Sequence, residues 1–214
     1  MKTPLLAAKV PKPPVDPSIL VNIPFDKDHL DTVGNTTLAI FGYPNNVPII
    51  EQVGGRGALR VTANQGITYT VIPGKPRLFN TPHWRMEFEV MLVNPTQFKH
   101  ETVIAFRKAS NLSDYMFFFW KRAQNSHRFQ VTGSSWKVET APMFADTTTM
   151  SVNVWRKFAI ERTEADNTMR FYVNDVLMGS RVTSIDLSCD VIELIKAASP
   201  DFFNGWIRNL KITR

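Results

Sequence analysis

Two short segments, Trp155 to Arg162 and Met169 to Asp175, constrain the fold more than any other part of this chain. In the first, Phe158 and Ile160 share one side of an extended backbone; in the second, Met169, Phe171 and Val173 do. Successive side chains of a strand point to opposite faces, so apolar residues at alternate positions mark strands with one buried face. The polar stretch Thr163 to Thr168 between them predicts a connecting loop, and the two segments predict antiparallel neighbours. Asn174 and Asp175 predict the tight turn that follows, because both residue types tolerate a left-handed backbone.

The same period of two recurs along the chain. Trp84 to Leu92 is the clearest case, with Trp84, Met86, Phe88, Val90 and Leu92 facing in and Arg85, Glu87 and Glu89 facing out. Further strands are expected at 58–61, 67–72, 102–106, 115–120, 128–132, 151–162 and 206–213. Asn45, Asn46 and the run Gly54 to Gly57 are loop signals. Between Cys189 and Ala198 the pattern admits a helical turn, while Val191 and Ile192 fit a strand equally well. Many short strands at roughly ten-residue spacing predict an all-β protein, a two-sheet antiparallel sandwich or jelly roll. Its 214 residues suit one large sandwich domain, 25–214.

Residues 1–24 differ from the rest. Six of the 14 prolines fall here. Proline fixes φ and removes a backbone donor, so the segment predicts an extended N-terminal arm rather than a helix or an internal strand. Its apolar residues, among them Leu5, Leu6 and Val10, make it stickier than a linker. Two readings stand: the arm lies along its own sandwich, or it docks on a neighbouring subunit through Leu5, Leu6, Lys9, Val10, Pro13 and Pro14.

The net charge of +6 is scattered. Lys99, Arg107, Lys108, Lys121, Arg122 and Arg128 alternate with apolar residues and read as strand exteriors, not as the stripe of a specific nucleic-acid binder. The single cysteine, Cys189, leaves no intrachain disulfide. No apolar run is long enough to cross a membrane, and Met1 to Val15 lacks the pattern of a signal peptide.

Four segments in order resemble the concanavalin A-like lectin/glucanase superfamily in its laminin G-like branch. They are Phe25 to Asp28 with Asp31 to Gly34, Gly57 to Val61, Trp155 to Arg162 with Met169 to Asp175, and Phe203 to Ile207 with Leu210 to Thr213. The third resembles a Trp-initiated hairpin ending in a turn where the family usually has Asn-Gly; here Asp175 replaces the glycine. The resemblance implies two face-to-face antiparallel sheets. It places Trp155 in a core pocket or at the sandwich edge, and Gly205 in a tight turn before the last strand.

Glucanases of that superfamily carry their acids as Glu-x-Asp-x-Glu or a close variant on one strand, so that alternate carboxylates share a face. Glu87 and Glu89 come nearest, but Arg85 and Met91 stand where a third acid would be. The expected role of the pair is an outward salt-bridging face, and no catalytic residue is assigned. No cofactor is implied. Asp26, Asp28 and Asp31 are calcium candidates by residue type, although aspartates in turns usually accept from backbone amides. For stacking on a sugar, Trp136, Tyr115 and Trp120 are the candidates.

The functional expectation is a non-enzymatic structural protein of a virus particle, a bacteriophage capsid decoration or tail component. It would be made in the host cytoplasm, its arm docking on other virion proteins or copies of itself. The alternative is a carbohydrate-binding, lectin-like module for host-surface or extracellular glycans, and a glycosidase comes third.

Overall fold

The structure, a computed structural model, describes residues 16–42, 48–62, 65–93, 100–121, 126–132, 144–146, 153–163, 167–182, 187–194 and 204–214. Side chains are described throughout these except in parts of the strands around 41–42, 100–102, 111–121, 126–132 and 144–146 and at 65. The described elements are strands: β1 (Ile19–Ile23), β2 (Thr36–Gly42), β3 (Ile49–Val53), β4 (Arg56–Val61), β5 (Gln65–Val71), β6 (Trp84–Leu92), β7 (His100–Lys108), β8 (Asn111–Lys121), β9 (Ser126–Thr132), β10 (Phe144–Asp146), β11 (Arg156–Thr163), β12 (Thr168–Val173), β13 (Val176–Val182), β14 (Val191–Leu194) and β15 (Gly205–Thr213).

They form two sheets. One has eight strands in the order β13-β12-β11-β6-β15-β4-β3, with β1 also paired to β15; the other has seven, β10-β9-β8-β7-β14-β5-β2. Every strand pair is antiparallel. The all-β sandwich expected from the alternation is the fold observed.

The core lies between the sheets. On the eight-stranded side, Phe88, Phe158 and Phe171 sit on three adjacent strands with centroids 5.8 and 6.2 Å apart. Phe79 and Trp84, 4.7 Å apart, reach Phe106 of the opposite sheet, whose ring is 5.1 Å from Phe79. Such aromatic packing adds to the stabilisation from burial itself. The phase read for Trp84 to Leu92 holds, with Trp84, Met86, Phe88, Val90 and Leu92 buried. In the hairpin, Phe158 pairs with Val173 and Ile160 with Phe171. Its turn carries Asn174 at φ 50° and Asp175 at φ 64°, the two left-handed residues that a twisted two-residue hairpin turn needs.

Several expectations are corrected. Residues 19–23, read as part of the arm, are β1, which lies between Pro17 and Pro24 and buries Leu20, Val21 and Ile23. Prolines flank that strand without interrupting it. Residues 1–15 lie outside the described residues, and with them Leu5, Leu6, Lys9, Val10, Pro13 and Pro14. Of the two readings left open for the segment around Val191 and Ile192, the strand is the one observed, as β14. Gly205 is a buried strand residue paired with Val61 and Leu92, not a turn. Trp155 is half-buried outside the core, and its ring carries the guanidinium of Arg208 at 3.9 Å.

β1 and β4 share one flank of β15: β4 pairs with Gly205 to Ile207 and β1 with Leu210 to Thr213. Where they meet, the backbone of Phe25 and Asp26 crosses directly over Gly57. A Cβ on Gly57 would collide with both carbonyl oxygens, which explains a glycine in that position. Phe25 is itself left-handed, at φ 60°, and fully buried. A bulky residue holds that conformation only where its surroundings dictate it.

Candidate functional site

The outer face of the eight-stranded sheet is where the polar residues of β6, β11, β12 and β15 converge. Arg85 donates to Glu161 at 2.7 Å and to Glu87 at 3.3 Å, and its guanidinium lies 5.4 Å from the centroid of Tyr172. The Tyr172 hydroxyl donates to the other oxygen of Glu161 at 2.6 Å. Partial burial, then this hydrogen bond to a carboxylate, raises the Tyr172 phenol above its ordinary value. Lys157 reaches Asp175 at 2.9 Å and Glu87 at 3.7 Å. The hydrogen bond that Lys157 donates to Asp175 holds the Lys157 ammonium above its usual range and the Asp175 carboxyl below its own. The outward salt-bridging face read for Glu87 and Glu89 is what the strand presents.

A bulge in β15 breaks this regular face. Arg208 stands opposite Glu89, but the next matched pair is Lys211 with Glu87, so two residues fill the space of one. A bulge bends its strand and re-aims a side chain. Here it buries Leu210 and turns Asn209 outward at φ 55°. Asn209 Nδ2 then donates to Glu89 Oε1, and Arg56 donates to Asn209 Oδ1 at 3.3 Å. The second Glu89 oxygen accepts from Arg208, 2.6 Å from its nearer nitrogen. The Asn209 amide N–H donates to Pro24 O at 3.3 Å, tying the bulge to the crossover above Gly57.

Beside the bulge opens a cleft of about 360 Å³ lined by Asn22, Arg56, Glu87, Phe88, Glu89, Lys157, Asn209 and Lys211. Its walls carry amide, carboxylate, guanidinium and ammonium groups, among which Arg56, Asn209 and Glu89 hold one another, as do Glu87 and Lys157. Groups fixed in this way lose little freedom when they bind. Two tryptophan rings on this sheet are covered by arginines: Trp155 by Arg208 at 3.9 Å, and Trp206, whose Nε1 donates to Glu51 at 2.8 Å, by Arg60 at 4.7 Å. A shallower hollow of about 250 Å³ lies at the sheet end, among His83, Trp84, Arg85, Glu161, Arg162 and Thr163.

Other residues singled out in the sequence lie elsewhere. Asp31 accepts four hydrogen bonds: from the backbone amides of Asn22, Val33 and Asn35 at 3.0 to 3.1 Å, and from the Thr36 hydroxyl at 3.2 Å. Asp28 accepts from the amide of Leu30 at 2.9 Å, and Asp26 is exposed at the crossover. Among the described residues no three His, Cys, Asp or Glu side chains gather as a metal site. Tyr115 and Trp120 are in β8, in the sheet opposite the cleft, and their side chains lie outside the description; Trp136 lies outside the described residues altogether. Cys189 is fully buried, and burial pushes its thiol up. The sequence reading missed Asn22, Arg56, Asn209 and Lys211. A signal was present, because Arg208 and Asn209 are adjacent polar residues between Ile207 and Leu210, a break in the alternation at the bulge.

No family model matches the sequence, and no curated protein matches it. Solved structures match by fold. The binding domain of botulinum neurotoxin serotype D superposes with a TM-score of 0.67 at 13% identity, covering 92% of this chain and 47% of that one. The binding domain of Paraclostridial mosquitocidal protein 1 gives 0.67 at 10% identity, with 92% and 48% covered. Domain 4 of a GH43 extracellular arabinanase from Geobacillus stearothermophilus, solved in complex with arabinotriose, gives 0.66 at 15% identity and covers 92% of both chains. The chain thus spans about half the length of the two toxin binding domains and nearly all of the arabinanase domain. At these identities the likeness establishes a shared β-sandwich fold.

Proposed function

We propose that this chain is a non-catalytic carbohydrate-binding module whose ligand occupies the cleft beside the β15 bulge. The observation that carries the reading is Asn209. A left-handed non-glycine residue, turned out of a sheet and held from both sides by Glu89 and Arg56, is a fixed donor and acceptor at the rim of a sugar-sized cleft. Saccharide hydroxyls are matched by such planar, preoriented groups.

The acids of the cleft support binding over hydrolysis. A glycosidase needs one protonated carboxylic acid and one free carboxylate across the scissile bond. Glu89 is instead clamped by Arg208 and Asn209, and Glu87 by Arg85 and Lys157. Two of the folds it resembles are those of binding domains, and the third, an arabinanase domain, was solved with arabinotriose. None of these three likenesses is to a virion protein, so the glycan-binding reading is preferred to capsid decoration.

The test is a glycan array on the full chain, followed by calorimetry on the hits. We expect saccharide binding that weakens about tenfold in Asn209→Gly, as loss of one or two neutral hydrogen bonds of about 0.5–1.5 kcal/mol each would predict. Binding unchanged by that substitution would move the site elsewhere; no binding to any glycan would end the proposal.

A further inference from the structure

Resting on that glycan-binding reading, we infer that the saccharide bears an acid group, a carboxylate or a sulfate ester, received by Arg56 and Lys211. The argument is a charge balance of the cleft. Its two carboxylates are already used: Glu87 lies 3.3 Å from Arg85 and 3.7 Å from Lys157, and Glu89 lies 2.6 Å from Arg208. Lys157 is shared with Asp175 as well. What is left over is positive. Among the described residues, neither Arg56 nor Lys211 has a carboxylate within ion-pair distance. Asp16 senses the Lys211 charge, but its carboxylate is exposed and hydrogen-bonded to Ser18.

Arg56 sharpens the inference. Its hydrogen bond to Asn209 engages a neutral amide oxygen and one of its two terminal nitrogens. The planar fork keeps further donors, in the geometry that matches a carboxylate or sulfate two bonds at a time. Lys211, paired with Asn22 on one side and Glu87 on the other, places a second cation on the same wall. The +6 charge of the whole chain would also draw an acidic saccharide toward the surface.

The experiment compares matched probes by calorimetry on the full chain: a galacturonic acid trimer, a sialylated trisaccharide and a sulfated disaccharide, each beside its neutral counterpart. We expect an acidic probe to bind at least about tenfold tighter than its neutral partner, since charge-assisted hydrogen bonds carry that much. The carboxylate and sulfate arms identify which acid is taken. Arg56→Ala and Lys211→Ala should each remove most of that preference, Lys211→Arg should restore it, and an unchanged thermal midpoint shows that the variants are folded. Raising the salt toward about 1 M should also erase it, as screening shortens to roughly 3 Å. Equal or better binding of neutral sugars, lost in Asn209→Gly, would overturn the acid-group inference while leaving the glycan-binding reading intact. Acid preference indifferent to Arg56 and Lys211 would overturn their assignment. If no probe binds and the wider array is also empty, both fall.

Discussion

The β11–β12 hairpin and strand β15 lie in the same sheet, both reach β6, and are built on opposite principles. The hairpin is regular: its register runs unbroken from Phe158 paired with Val173 to Thr163 paired with Thr168. Its irregularity is confined to the turn, where Asn174 and Asp175 are the residue types the geometry favours. β15 slips its register between Arg208 and Lys211 and holds Asn209 left-handed in mid-strand. Regularity on one side makes a stiff platform. The cleft lies beside the break on the other, where Glu89, Arg56 and the Pro24 carbonyl all bond to Asn209.

The comparison breaks first if the platform is not what holds the sheet. Phe158 is fully buried between Phe88 and Phe171. Removing such a ring leaves a cavity that closely packed neighbours fill only partly, so Phe158→Ala should cost about 3–5 kcal/mol. Chemical denaturation measures it. The variant's remaining folded fraction should still bind ligand through Asn209, with at most a minor loss from Lys157, the neighbour of Phe158 that lines the cleft. A small stability cost, or a selective loss of binding, would mean that hairpin and site are not separable.

A second test acts on the bulge. Asparagine is among the few side chains that enter the left-handed region easily; most others cost about 1–2 kcal/mol there. Asn209→Ala should therefore lose both stability and binding, while Asn209→Gly should recover most of the stability without the binding. If both substitutions are equally destabilising, the amide contacts to Glu89 and Arg56, and not the backbone, hold the bulge. In either case the hairpin should keep its amide-exchange protection.

The same contrast explains what the sequence revealed. Strands with one buried face, β6, β11 and β12, write their phase into alternate residues, and their phase was legible. β13 was not, because Val176, Leu177 and Val182 are 62%, 52% and 68% exposed and backbone pairing to β12, not burial, positions it. β1 was hidden by the prolines on either side of it. The resemblance left Trp155 between a core pocket and the sandwich edge; it is outside the core, and nothing in the sequence says that an arginine from another strand will cover its ring. The cleft was half legible: the polar pair Arg208–Asn209 marks a broken strand, but Arg56 and Asn209 lie 153 positions apart in the chain, and only folding brings them together.

The smallest expected effect concerns the loop that leaves β1 and supports the bulge through Pro24. His29 lies in it, partly buried, with Nε2 lacking a hydrogen-bond partner while its backbone oxygen accepts from the Tyr69 hydroxyl at 2.8 Å. Burial is the main cause that holds the imidazole below its ordinary value, against weaker raising influences from Pro48 and Asp28. The sign follows directly. A histidine with a depressed folded-state value takes up its proton more readily when unfolded, so folding stability falls as pH drops from about 6.5 through that lower value. Below both values the loss levels off. Because the group is partly exposed, the loss should be modest, a small fall in thermal midpoint between about pH 7 and pH 5. His29→Gln should flatten the profile over this range. Amide exchange should place the acid-induced opening in residues 24–35 and around Asn209, and leave β11 and β12 protected. Acid loosening of the hairpin to the same extent would show that the bulge and the platform open as one unit.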